Sequence, residues 1–106
     1  MPFSVTYHPD VKRRDIANLN GDVRERIKRA IETRLLVAPQ EYGTPLRKTL
    51  KGYWKLRVGD YRIVFRIVGD EILILGICHR KRIYSLMERR QSKGVKSAVG
   101  FFREER

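Results

Sequence analysis

The chain of 106 residues carries a single cysteine, two histidines, few carboxylates and no long hydrophobic run. One cysteine, Cys78, excludes an internal disulfide; late in an apolar strand it reads as a small buried thiol. His8 and His79 have no cysteine or carboxylate at metal-ligand spacing, so no zinc site is expected. There is no P-loop, GxGxxG or GxSxG motif, and no cofactor is expected. Carboxylates are scattered. Asp60 and Asp70 fall in glycine turns, where aspartate serves the backbone, so no two-metal nuclease site assembles. No stretch is long enough to cross a bilayer and the amino terminus lacks a signal-peptide core. The expectation is a cytoplasmic protein without a membrane partner.

Positive charge is what the chain has in excess. There are 24 Lys+Arg against 12 Asp+Glu, a net of +12. Residues 1–42 hold 8 basic and 6 acidic groups, whereas residues 43–106 hold 16 and 6. A solvated basic surface is one reading. The density in the second half points to a nucleic-acid or other acidic partner.

That half contains the strands. Tyr53–Val58, Tyr61–Val68 and Glu71–Cys78 are separated by Gly59-Asp60 and Gly69-Asp70, the pattern of an antiparallel meander. Alternation puts Trp54, Leu56, Val58, Ile63, Phe65 and Ile67 on a buried face. Lys55, Arg57, Arg62 and Arg66 then gather on the opposite face, which is expected to be open and wet. Clustered cations repel one another, so this arrangement makes sense if a polyanion fills it.

Upstream, Phe3–Tyr7 alternates as a short strand, and Pro9-Asp10 suits the start of a helix. Asn20 or Asp22 can cap a second helix whose Val23, Ile27, Ala30, Ile31 and Leu35 share one side. Pro39 stops it, and residues 38–52 read as a loop carrying Arg47, Lys48 and Lys51. Ile83, Leu86 and Met87 suggest a short helix at the end. The expected fold is α+β: an N-terminal strand and a two-helix hairpin packed on a twisted, mainly antiparallel sheet, in the order β-α-α-β-β-β, with a short C-terminal helix. Residues 1–87 form the expected domain, and residues 88–106 a basic C-terminal extension, read either as flexible or as a tail that orders against a partner, with no role assigned to it.

Metal-free RNA cleavage uses the RNA's own 2′-hydroxyl as nucleophile. It needs a proton acceptor, cations for the phosphorane and a proton donor for the leaving 5′-oxygen. Lys55, Arg57, Arg62, His79, Arg80 and Tyr84 together offer these parts. Each has a plainer reading: surface decoration for the strand cations, a strand-ending hydrogen bond for His79, helix packing for Tyr84. The chemical reading rests on their convergence.

Three stretches resemble the RelE/ParE superfamily of type II toxin–antitoxin toxins. They are Tyr7-His8-Pro9, Leu50–Phe65, and His79-Arg80 followed by Tyr84. The resemblance implies the compact α+β toxin fold and an acidic antitoxin that wraps it. It also implies one of two targets: messenger RNA cut in the ribosomal A site, or DNA gyrase. It gives Lys55 a proton-transfer or phosphate role and makes Arg62 the transition-state arginine. The same resemblance implies leaving-group protonation or charge stabilisation for Arg80 and base stacking for Tyr84. It implies a phosphate-contacting role for Arg57. Tyr53 stands about where some relatives place another lysine, so the base is Lys55 or another group such as His79. The catalytic candidates are therefore Lys55, Arg62, His79, Arg80 and Tyr84. Arg47, Lys48, Lys51, Arg57, Arg66, Lys81 and Arg82 are the expected RNA-binding cations. An acid–base set favours the ribonuclease, because a gyrase poison needs none. A generic nucleic-acid-binding domain remains the reading from charge alone.

Overall fold

The computed structural model describes residues 3–90. Strand β1 (Ser4–Tyr7) leads into helix α1 (Val11–Ile16) and then α2 (Gly21–Ala30). Asn20 caps α2, its side-chain oxygen accepting the Val23 N–H at 2.9 Å. The helix runs on through Ile31–Leu35, where the winding widens and the Leu36 N–H reaches the Ile31 carbonyl at 3.0 Å. The stretch expected as loop contains a short helix α3 (Pro39–Tyr42), a strand β2 (Thr44–Pro45) and a 3₁₀ turn, Lys48–Leu50. Strands β3 (Trp54–Val58), β4 (Tyr61–Val68) and β5 (Glu71–His79) form the meander. A 3₁₀ turn, Arg80–Arg82, then starts helix α4, residues 83–90.

The expected α+β order is present. The sheet runs β1-β5-β4-β3-β2, with β1 parallel to β5 and the other pairs antiparallel. The alternation on β3 and β4 is also as expected. Leu56, Val58, Ile63 and Phe65 are buried under the helical hairpin with Val11, Ile27, Ile31 and Leu35.

The opposite face is not open. Leu46 and Leu50 from the loop and Ile83 and Met87 from α4 cover it, enclosing Val64 and Leu75 in a second core. Apolar area at Val64, Leu75 and Met87 drives that cover, so the cations are confined to its margins. This two-sided burial explains the unbroken apolar run of β5. A register shift helps: Val64 pairs with Gly76 but Phe65 with Ile74, leaving Leu75 as an extra residue in β5. Ile72, Ile74 and Ile77 therefore all reach the hairpin side, while Leu75 enters the second core.

β1 pairs with Glu71–Ile74, so among the described residues the outer edge of β5 beyond that point lacks a strand partner. Two buried charges close it. The Asp15 carboxylate accepts the Ile77 N–H at 2.9 Å, and Arg90 donates to the Leu75 carbonyl at 2.8 Å. The two side chains also pair in bidentate fashion at 2.8 and 2.9 Å, each only 8% exposed. Gly76 makes room. A methyl there would sit 2.8 Å from Leu86 Cδ2 and 3.3 Å from Arg90 Nη1. The expected domain boundary at residue 87 falls inside α4, and the rest of the extension, residues 91–106, lies outside the described residues.

Candidate nucleic-acid interface

The β3–β4 hairpin sets Arg57 directly beside Arg62. Arg62 curls over the turn, its Nη1 donating to the Gly59 carbonyl at 3.0 Å and the Tyr61 carbonyl at 2.9 Å. Burial first, then the Arg57 and Arg80 guanidiniums, holds Arg62 below the ordinary arginine value. Arg80 arrives from the end of β5: its N–H donates to the Asp60 carbonyl at 2.8 Å and its Nε lies 3.9 Å from Asp60 Oδ1. Three guanidiniums thus meet around the Gly59-Asp60 turn, opposed by one exposed carboxylate. Gly59 has φ +62°, a left-handed conformation that glycine adopts without strain.

Lys55, half-buried, sits opposite Val64 on the same face as Arg57. Arg66 shares that face and lies over the Tyr53 ring, 5.6 Å from its centre. Arg47, Lys48 and Lys51 are exposed on the covering loop, Lys48 with a strained φ of +58°. Lys81 and Arg82 are exposed on the turn after β5, and Tyr84 is 62% exposed on α4.

His79 is placed differently. It pairs with Tyr61 in register and lies edge-on to that ring at 5.8 Å, on the hairpin side, while Arg62 pairs with Cys78 and points the other way. His79 and Arg62 therefore share one end of the sheet but not one face. His79 Nδ1 accepts the Lys81 N–H at 3.2 Å, so the neutral imidazole carries its proton on Nε2. With Tyr61, Arg14 and Arg82 it lines a cleft of about 570 Å³ between α1 and α4. Burial pushes the Cys78 thiol up to about 11, which suits a packing role. Among the described residues, no three of His, Cys, Asp and Glu group as metal ligands.

Sequence reasoning missed Asp15, Arg90 and Arg26. The first two carry a visible signal: Asp15 sits four residues from both Val11 and Leu19 on the buried stripe of α1, and Arg90 three from Met87 on that of α4. Arg26, on the exposed side of α2, gives no such signal.

A family model for the ParE toxin of the type II toxin–antitoxin system parDE matches residues 5–84. The chain belongs to the RelE/ParE superfamily of type II toxins. It is 35% identical over 80 residues to the toxin RelE3 of Methanocaldococcus jannaschii, covering 67% of this chain and 84% of that one. It is 31% identical over 86 residues to the toxin RelG of Mycobacterium tuberculosis, covering 79% and 98%. The crystal structure of the toxin–antitoxin complex RelBE2 from Mycobacterium tuberculosis superposes with a TM-score of 0.69 at 28% identity, over 74% of this chain and 99% of that one. This toxin is thus one half of a toxin–antitoxin pair, and its solved relatives include complexes with RelB antitoxins. Among the described residues, no helix of the toxin is long and apolar enough to cross a membrane.

Proposed function

We propose that this toxin is a ribosome-dependent endoribonuclease that cuts messenger RNA without a metal ion and so halts translation in the cytoplasm. The observation that supports it is the meeting of Arg57, Arg62 and Arg80 around the Gly59-Asp60 turn, with Lys55 on the same face. The RelE names of the curated relatives support it too. In the proposed reaction the 2′-oxygen bonds to phosphorus and gives up its proton to a base on the toxin. The P–O5′ bond breaks, the 5′-oxygen takes a proton, and a 2′,3′-cyclic phosphate remains. Guanidiniums gathered at the turn, with Arg62 held by two backbone carbonyls, stabilise the charge that develops on the phosphorane oxygens. Lys55 is the proposed proton-transfer or phosphate-binding group, Arg80 acts at the leaving oxygen, and Tyr84 offers a ring for an unstacked base. His79, on the hairpin side, fits a cap and ring contact better than direct proton transfer beside Arg62. The proposed partners are messenger RNA, the ribosome and an acidic RelB-like antitoxin.

Primer extension on a transcript after toxin induction tests the reading. Discrete cleavage sites are expected, and Arg62→Ala should lower cleavage about 10²–10³-fold. Growth arrest with every transcript intact refutes it.

One observation favours a second reading, inhibition of DNA gyrase. The matching family is ParE, and the imidazole does not join the arginines. Block of DNA supercoiling by the purified toxin, with transcripts left whole, would establish that alternative.

A further inference from the structure

A second concavity, of about 410 Å³, opens where the edge of β3 meets α2. β2 pairs with Trp54 and Lys55, so among the described residues no strand covers the edge of β3 beyond them. Arg26, Arg29 and Arg34 from the helix and Arg57 from the strand line this cleft, and among the described residues no carboxylate does. The three helical arginines are exposed.

Gly59 joins the cleft to the candidate catalytic face. Arg26 packs so closely on it that a methyl group at Gly59 would lie 2.9 Å from the Arg26 Nη2. On the other side, Arg62 Nη1 donates to the Gly59 carbonyl at 3.0 Å. A single residue thus separates Arg26 from Arg62, and Arg57 belongs to both groups. Guanidiniums that outnumber nearby carboxylates repel one another, and their planar forks match phosphate oxygens in pairs.

We propose that this cleft is a second phosphodiester-binding site, which carries the RNA backbone from Arg57 and Arg62 around the edge of the sheet. The inference rests on the reading of the protein as an RNA-acting toxin. Continuity with the arginines at the Gly59-Asp60 turn favours a nucleic-acid strand over an acidic peptide.

The test compares two doublets by fluorescence anisotropy with a short end-labelled single-stranded RNA. Arg26→Ala/Arg34→Ala removes cleft cations, and Arg13→Ala/Lys28→Ala removes as much charge from exposed positions outside it. All four side chains are at the surface, so both doublets should melt close to the parent. The cleft doublet should bind about tenfold more weakly. Its plot of log K against log salt should be shallower by about 1.4, since each phosphate contact to a single strand contributes about 0.7. The outer doublet should change both far less. Equal losses from the two doublets reduce the cleft to net charge and overturn the proposal, as does parental binding by the cleft doublet. A cleft doublet that loses only its acidic antitoxin overturns it in favour of a protein ligand. If the parent binds RNA but cuts no transcript, the enzymatic reading falls and the cleft stands on the binding comparison. If the parent binds no RNA, both fall.

Discussion

Replacing Arg90 by alanine exposes what the Asp15–Arg90 pair does for the fold. In the parent, the Asp15 carboxylate receives two hydrogen bonds from Arg90 and one from the Ile77 N–H, with both side chains 8% exposed. Removing the arginine leaves a buried carboxylate with one described donor and takes the 2.8 Å bond from the Leu75 carbonyl. Breaking a buried pair from one side costs about 3–5 kcal/mol. That is a large share of the roughly 5–15 kcal/mol that holds a small domain folded. At about 4–8 °C per kcal/mol, the melting temperature should drop by at least ~12 °C. Replacing both partners by apolar residues should recover less than at a typical buried pair, because the Leu75 carbonyl and Ile77 N–H remain, at about 1–3 kcal/mol each. Urea titration followed by circular dichroism measures these differences. An Arg90→Ala protein within about 0.5 kcal/mol of the parent would refute the assignment of the pair as the closure of the β5 edge.

Three further outcomes are expected. Gly76→Ala should destabilise by about 1–3 kcal/mol, since the added methyl meets Leu86 at 2.8 Å; a melting curve matching the parent's contradicts this. Burial, followed by the charge of Arg90, holds His8 below the ordinary imidazole value of 6.5. The unfolded chain therefore binds that proton first, so the His8 contribution is present above pH 6.5 and is lost as pH falls below it; His8→Gln should flatten this part of the stability–pH curve. With its thiol pushed up to about 11, Cys78 is about one part in a thousand thiolate at pH 8, so iodoacetamide should label the folded toxin far more slowly than the urea-unfolded chain.

The β3–β4 hairpin and the capped second helix were legible because each follows a local rule. Two-residue periodicity around Gly59-Asp60 placed Arg57 beside Arg62, and Asn20 stands where an N-cap belongs. The cover on the second face was not legible from Lys55, Arg57, Arg62 and Arg66, which advertise solvent. Val64, the apolar exception among them, was the trace it left. His79 stands next to Arg80 in sequence, but strand parity sends it to Tyr61 and away from the face of Arg62. The shift at Leu75 breaks the parity of β5 through pairing with a neighbour, which no single strand reveals. Asp15 and Arg90 lie 75 residues apart, and only packing makes each explain the other. The nearness of Arg26 to Gly59 likewise depends on how α2 is laid across the sheet.

The parallel pairing of β1 with β5 bears on how the molecule is made. Ser4 finds its partner only at Glu71, so vectorial synthesis leaves the first strand unmatched until nearly the whole described domain has emerged. A pairing of such large sequence separation is slow to form, because loop closure must come before its contacts are made. The β3–β4 hairpin that brings Arg57 beside Arg62 is local by contrast, so the arginines meet through short-range pairing while the sheet that backs them waits for its first strand.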